Sequence, residues 1–163
     1  MIIDMNSELT YQEVREVAEN FYQTLQPIFC PAINENISFT MSEGFHHIIH
    51  KSKGNQREQK EQMMRFKLLK RGVSLIGLTT TFQEYEEAVV PIKIKMNKKK
   101  VLSERTVKYW GLIAILNDRK IKVILRKIGN GKIHFWSIIP AWSTSYKRDR
   151  KYIRMMKGDP EID

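Results

Sequence analysis

Three histidines within five positions, His46, His47 and His50, are the first residues in this chain whose types and spacing could do chemistry. An imidazole ionises at about pH 6.5, so it can take or give a proton near neutrality. Ser42 is a suitable N-cap for a short helix running through Glu-Gly-Phe-His-His-Ile-Ile-His. On that helix Phe45, Ile48 and Ile49 point one way, toward a core. His46 and His50 share the neighbouring face and His47 lies beside them, which places all three together on the uncovered side. The i, i+4 spacing of His46 and His50 is also that of helical zinc ligands, but the glutamate that accompanies the first such ligand is absent and Cys30 stands alone. No metal and no other cofactor is expected. The plainer alternative is that the histidines cap a helix or line the rim of a core.

A second group of chemically capable residues lies between Val107 and Pro140. Three apolar runs are separated there by Asn117-Asp118 and Gly129-Asn130-Gly131, which favour tight hairpins and predict an antiparallel meander. A two-residue turn at Asn117-Asp118 sets Trp110 opposite Leu125, Leu112 opposite Val123 and Ala114 opposite Ile121. A two-residue turn in the second hairpin would bring Trp136 and Ile138 onto the same apolar, helix-covered face, with Trp110, Leu125 and Trp136 as one buried row. Tyr109, Gly111, Ile113, Lys122, Ile124, Arg126, Phe135 and Ser137 then share the open face, while His134 falls on the covered face beside Lys127.

Those residues suit an RNA strand. Arg126 offers a forked guanidinium for a phosphate, Tyr109 and Phe135 offer rings on which bases stack, and Ser137 offers a neutral donor. Lys122 and Arg57 add positive charge. Cleavage of RNA by its own 2′-OH needs a base for that proton, an acid for the departing 5′-oxygen and a cation for the phosphate. The histidines and Arg126 supply all three.

The elements that must position these groups fit one domain. The chain has 163 residues, 19.3 kDa, 42% of them hydrophobic, with a mean hydropathy of -0.43. Apolar stretches such as Trp110 to Leu116 fall far short of the ~20 residues that span a bilayer. The opening Met-Ile-Ile-Asp lacks a basic segment followed by an apolar one, so no secretory signal is expected, and a single cysteine suits the reducing cytosol. Lys and Arg number 28 against 18 Asp and Glu, a net charge of +10, which points to a polyanionic partner, RNA first.

Thr10 and Glu13 form a capping-box pattern, and Val14, Val17, Ala18, Phe21 and Leu25 make the apolar stripe of a first helix that Pro27 ends. A basic helix is expected from Gln56 to Arg71 and a β-branched strand from Val73 to Phe82. Glu84, Glu86 and Glu87 give way to Pro91 to Lys100, which reads as an edge ribbon or a mobile basic loop. The expected organisation is a single α+β domain over residues 1–140, with a helical part at 8–72 and the meander at 107–140, followed by a basic tail at 141–163.

The histidine run, Tyr109-Trp110-Gly111-Leu112, Ile121 to Arg126, Ile128 to Gly131 and Phe135-Trp136-Ser137-Ile138-Ile139-Pro140 together resemble phage-associated nuclease domains of the barnase–EndoU–colicin–RelE (BECR) group, over roughly Phe39 to Pro140. That resemblance implies helices packed on one face of an antiparallel sheet, with the site on the open face; the usual size of sheets sets the expected strand number at about four. It implies catalytic roles for His46, His47 and His50, a place near the phosphate for Ser137, and a phosphate-binding role for Arg126. No glutamate occurs in the meander, so histidine rather than a barnase-type glutamate is expected to act as base. The leading expectation is thus a cytoplasmic, metal-independent endoribonuclease, a toxin or phage-associated effector whose basic surface also suits an acidic inhibitor or antitoxin. A non-catalytic RNA-binding module using the same face is the alternative, and a DNA-binding regulator working through the basic helix is a third.

Overall fold

The computed structural model describes residues 9–51, 54–116 and 119–143. The chain folds as an α+β structure, with helices on one face of a four-stranded antiparallel sheet. Helix α1 (Tyr11–Gln23) opens with the expected capping box: Glu13 N donates to Thr10 Oγ1 at 3.3 Å and Thr10 N to Glu13 Oε2 at 3.2 Å. It buries Val14, Ala18 and Tyr22, an i, i+4, i+8 row rotated from the expected stripe, and leaves Val17 exposed. Strands β1 (Ile28–Cys30) and β2 (Glu35–Ile37) form a small hairpin turning through Asn34 at φ 61°, in a stretch whose sequence has little pattern.

A π-helical turn, Met41–Phe45, runs directly into the single turn α2 (His46–Ile49). Its N-cap is Thr40 rather than Ser42, and Phe45, Ile48 and Ile49 are buried as expected. Helix α3 (Gln59–Leu78) absorbs the first part of the strand expected from Val73. Phe66, Leu69, Val73 and Ile76 continue one helical row into the core, and that 3.6-residue spacing outweighs the β-branched composition of the segment.

The sheet is a meander of β3 (Glu84–Met96), β4 (Lys99–Leu116), β5 (Arg119–Ile128) and β6 (His134–Ser143), in that spatial order. Pro91 to Lys100 is therefore a hairpin ribbon and not a loop, and β4 begins well before Val107. Trp110 pairs with Leu125, Leu112 with Val123 and Ala114 with Ile121, the expected register, although the turn residues Asn117 and Asp118 lie outside the described residues. The expected tail lies outside them too, from residue 144 onward.

The fourth strand departs from expectation. Ile124 pairs with Ser137 but Leu125 pairs with Phe135, so Trp136 is an extra residue in a β-bulge. A one-residue slip exchanges faces. Phe135 accordingly enters the helix-facing core with Trp110, Leu112, Val123, Leu125 and Ile138, and packs against Phe39 and Tyr22. Trp136 leaves that core for a second cluster on the other face, with Val107, Tyr109 and Ile124. The single buried row of Trp110, Leu125 and Trp136 is thus not formed.

Gly44 fixes how closely the short helix approaches β6, because a Cβ there would lie 2.8 Å from the Phe135 carbonyl oxygen, a backbone atom that cannot swing away. Two outcomes follow for thermal or denaturant unfolding. Phe135→Ala should destabilise by ~3–5 kcal/mol, the range for a buried aromatic, and Gly44→Ala by ~1–3 kcal/mol through overpacking. Wild-type stability in either variant would contradict the register.

Candidate functional site

The bulge turns Trp136 toward a group of ionisable side chains drawn from four elements. The Arg126 guanidinium lies over the indole with Cζ 3.4 Å from the ring centroid. The His47 ring stacks on Trp136 at 4.2 Å between centroids, and His134 meets it edge-on at 6.3 Å. Arg65, from α3, reaches the outer side of β6, donating from Nη1 to the Ile138 carbonyl at 2.6 Å and to Ser137 Oγ at 3.2 Å. Arg57 donates from Nε to the His47 carbonyl at 3.1 Å, and its own carbonyl accepts from Gln62 Nε2 at 2.7 Å.

Among the three clustered histidines the structure separates His47 from the other two. His46 is exposed and His50 half-buried, and they stack on each other at 4.2 Å with His50 Nδ1 3.3 Å from the His46 carbonyl. Partial burial, then the neighbouring His50, holds the His46 pKa below its ordinary value. His47 is only 4% exposed, and neither of its ring nitrogens meets a hydrogen-bond partner among the described residues. Burial first, then the charges of Arg57, Arg65, Arg126 and His46, push its pKa down to about 3. His47 is therefore neutral at pH 7 and a weak base, which does not suit the general-base role expected of it.

Several expected RNA contacts are likewise buried. Tyr109 is 1% and Phe135 0% exposed, so neither presents a ring face to a base. Lys122 is paired with Glu84 at 3.0 Å inside the protein, beside Gly111. Arg57, Arg126 and Ser137 are buried as well. Phe135 lies in the helix-facing core, while Tyr109, Arg126 and Ser137 are shut off from solvent on the second sheet face, which is itself packed, with Val90, Ile92, Ile128 and Ile139 against its apolar cluster.

The structure brings in Glu43, which only its spacing from His47 marks in the sequence, and His134, which simple alternation places on the other face. The bulge pairs His134 with Arg126 across β5 and β6, not with Lys127. Arg126 Nε donates to His134 Nε2 at 3.0 Å. Glu43 Oε2 lies 3.2 Å from the same nitrogen, and Glu43 Oε1 3.8 Å from Arg126 Nη2. With Nε2 accepting from arginine, the imidazole is in its Nδ1–H form, and Nδ1 lies 3.4 Å from the Lys132 carbonyl. Glu43 is 35% exposed in its side chain and is the solvent-facing member of the three. A signal for it existed: Glu43 precedes His47 by four residues, one helical turn, so both reach toward β6 from one side of the same short helix.

Among the described residues no three histidine, cysteine or carboxylate side chains come together as a metal-binding group, and no helix is long and apolar enough to cross a membrane. No family model matches the chain, and neither a curated protein nor a solved structure does.

The burial of neutral His47 has a pH signature. Its folded pKa lies below the unfolded value of about 6.5, so the unfolded chain binds more protons between the two. Stability is complete above ~6.5 and falls as pH drops from there toward about 3. Melting curves should show this loss, and His47→Gln should flatten it. The two profiles should diverge by a few kcal/mol across the interval, because a tenfold difference in proton affinity is worth ~1.4 kcal/mol. Parallel pH profiles would show that His47 does not titrate this way.

Proposed function

We propose that the chain is a metal-independent endoribonuclease whose proton-transfer group is the Glu43–His134 pair. The observation that carries this reading is the meeting of two acceptors at one point. Glu43 Oε2 and the lone pair of His134 Nε2 are 3.2 Å apart, with an arginine N–H already committed to the same nitrogen. Imidazole Nε2 has a single lone pair, so a proton that passes from Glu43 to it takes the place of the Arg126 hydrogen bond, and the guanidinium is left to pair with Glu43 Oε1, 3.8 Å from Nη2. The ribose 2′-OH is a suitable source. Its oxygen attacks phosphorus, its proton passes to the pair through the accessible Glu43, and the bond from phosphorus to the 5′-oxygen breaks. The proton then returns to the departing 5′-oxygen, leaving a 2′,3′-cyclic phosphate and a 5′-OH. Arg126, flat against Trp136, is a positioning residue that fixes the His134 ring. The net charge of +10 supports a polyanionic substrate. A toxin or phage-associated role with an acidic inhibitor would be consistent with that charge. Burial of Tyr109 and Phe135 weighs against the alternative of a stacking RNA-binding face.

Cleavage of a labelled RNA in EDTA tests the reading. Glu43→Gln and His134→Ala should each slow it by ~10²–10⁴-fold, and the double variant should be no slower than the worse single one, because the two act as a unit. His46→Ala and His50→Ala should retain the wild-type rate. Full activity in either member of the pair, or loss of activity to EDTA, overturns the mechanism.

A further inference from the structure

The four-stranded part of the sheet ends where Val107 pairs with Ile128, yet β3 and β4 continue as a two-stranded ribbon from Val89 and Thr106 to the Asn97–Lys98 turn. Both turn residues have positive φ, 48° and 65°, which matches the twist of a tight hairpin. At ~3.4 Å per residue the ribbon projects by about 25 Å. Its two faces differ. Val90 and Ile92 turn inward and pack against the Tyr109, Ile124 and Trp136 cluster. Lys93 and Lys95 alternate with them and point the other way, joined by Lys100 directly opposite Lys95. Lys98 and Lys99 occupy the tip, and all five lysines are exposed. From Pro91 to Arg105 there are six cations and one carboxylate, Glu104, and no aromatic residue.

We infer that this hairpin is a nucleic-acid-binding arm whose outward lysine face grips the phosphate backbone of duplex RNA; the choice of RNA rests on the ribonuclease reading above. An exposed amphipathic ribbon could otherwise lie on an anionic membrane, but here the side carrying Val90 and Ile92 is anchored to the protein, and the free side exposes only Val89 and Leu102 as large apolar side chains beside Lys93, Lys95 and Lys100. Single strands are held by aromatic platforms, which this segment lacks. Duplex RNA is recognised through its shape and its backbone, for which a two-dimensional patch of lysines is suited. The contacts are to phosphate, so the binding is indifferent to sequence.

The test measures binding of the full-length protein to a short blunt-ended RNA duplex of mixed sequence, and to one of its strands, across a salt series. Wild type should prefer the duplex and weaken steeply with salt. The variant Lys93→Ala/Lys95→Ala/Lys98→Ala/Lys100→Ala, altered only at exposed positions, should keep the wild-type melting temperature. Its duplex affinity should fall about tenfold or more, and the slope of log affinity against log salt should become shallower by ~2–4. An unchanged slope, equal affinity for the single strand, or loss of binding to anionic lipid vesicles with RNA binding intact overturns the arm. Glu43→Gln separates this failure from the other. If the duplex binds with a lysine-dependent slope but wild type cleaves no RNA, the arm stands and the ribonuclease reading falls. If wild type cleaves, Glu43→Gln does not, and the lysine variant binds normally, the site stands and the arm falls.

Discussion

A guanidinium held 3.4 Å above an indole is the contact on which the rest of the candidate site depends. Trp136 can offer its face to Arg126 only because β6 carries one residue more than the strand beside it. The same extra residue aligns His134 with Arg126, sends Phe135 into the helix-facing core, and leaves Ser137 where Arg65 can reach it. A strand without the bulge would place Trp136 in the core and His134 beneath the helices. Bulges re-aim side chains at sheet edges, and here one insertion sets the direction of three consecutive residues, His134, Phe135 and Trp136.

The polar interior that results is held by pairing rather than by exclusion. Arg65 of α3, Arg126 of β5 and Arg57 from the connection before α3 approach His47, and the imidazole between them stays neutral. A neutral ring that stacks on Trp136 separates like charges at the cost of two buried nitrogens without hydrogen bonds. Such a cost is ordinarily ~1–3 kcal/mol for a buried polar group. Lys122 of β5 and Glu84 of β3 solve the same problem by forming a buried ion pair across β4. Breaking such a pair is far more destabilising than its net contribution, so these strands are intolerant of single charge changes.

The fold was legible in the sequence wherever a single period governed a segment. The capping box of α1, the inward face of the histidine helix and the β4–β5 register all followed from spacing. Two segments carried competing signals. Val73 to Leu78 has the composition of a strand and the spacing of a helix, and tertiary packing of Val73 and Ile76 decides for the helix. In β6, alternation is interrupted by a bulge that no residue type announces, so unbroken alternation puts Phe135, Trp136 and His134 each on the wrong face. The histidine run marks the right helix. Which of its members turns inward depends on packing against a ring whose own position the sequence does not reveal, and the carboxylate one turn earlier is marked by its spacing alone.

Glu43 lies in a helix near the start of the described chain, and His134 begins its final strand. Bringing together two points separated by nearly the whole fold closes a loop of about ninety residues, an entropic cost of ~4 kcal/mol. Neither the π-helical turn nor the single turn α2 is long enough to persist by itself. The Glu43–His134 pair is therefore a non-local contact of the kind that slows folding and forms late. On the ribosome, the helices and the lysine arm emerge before β6 does. A growing chain would expose those lysines well before Glu43 meets His134, and assembly of that pair coincides with the pairing of β6.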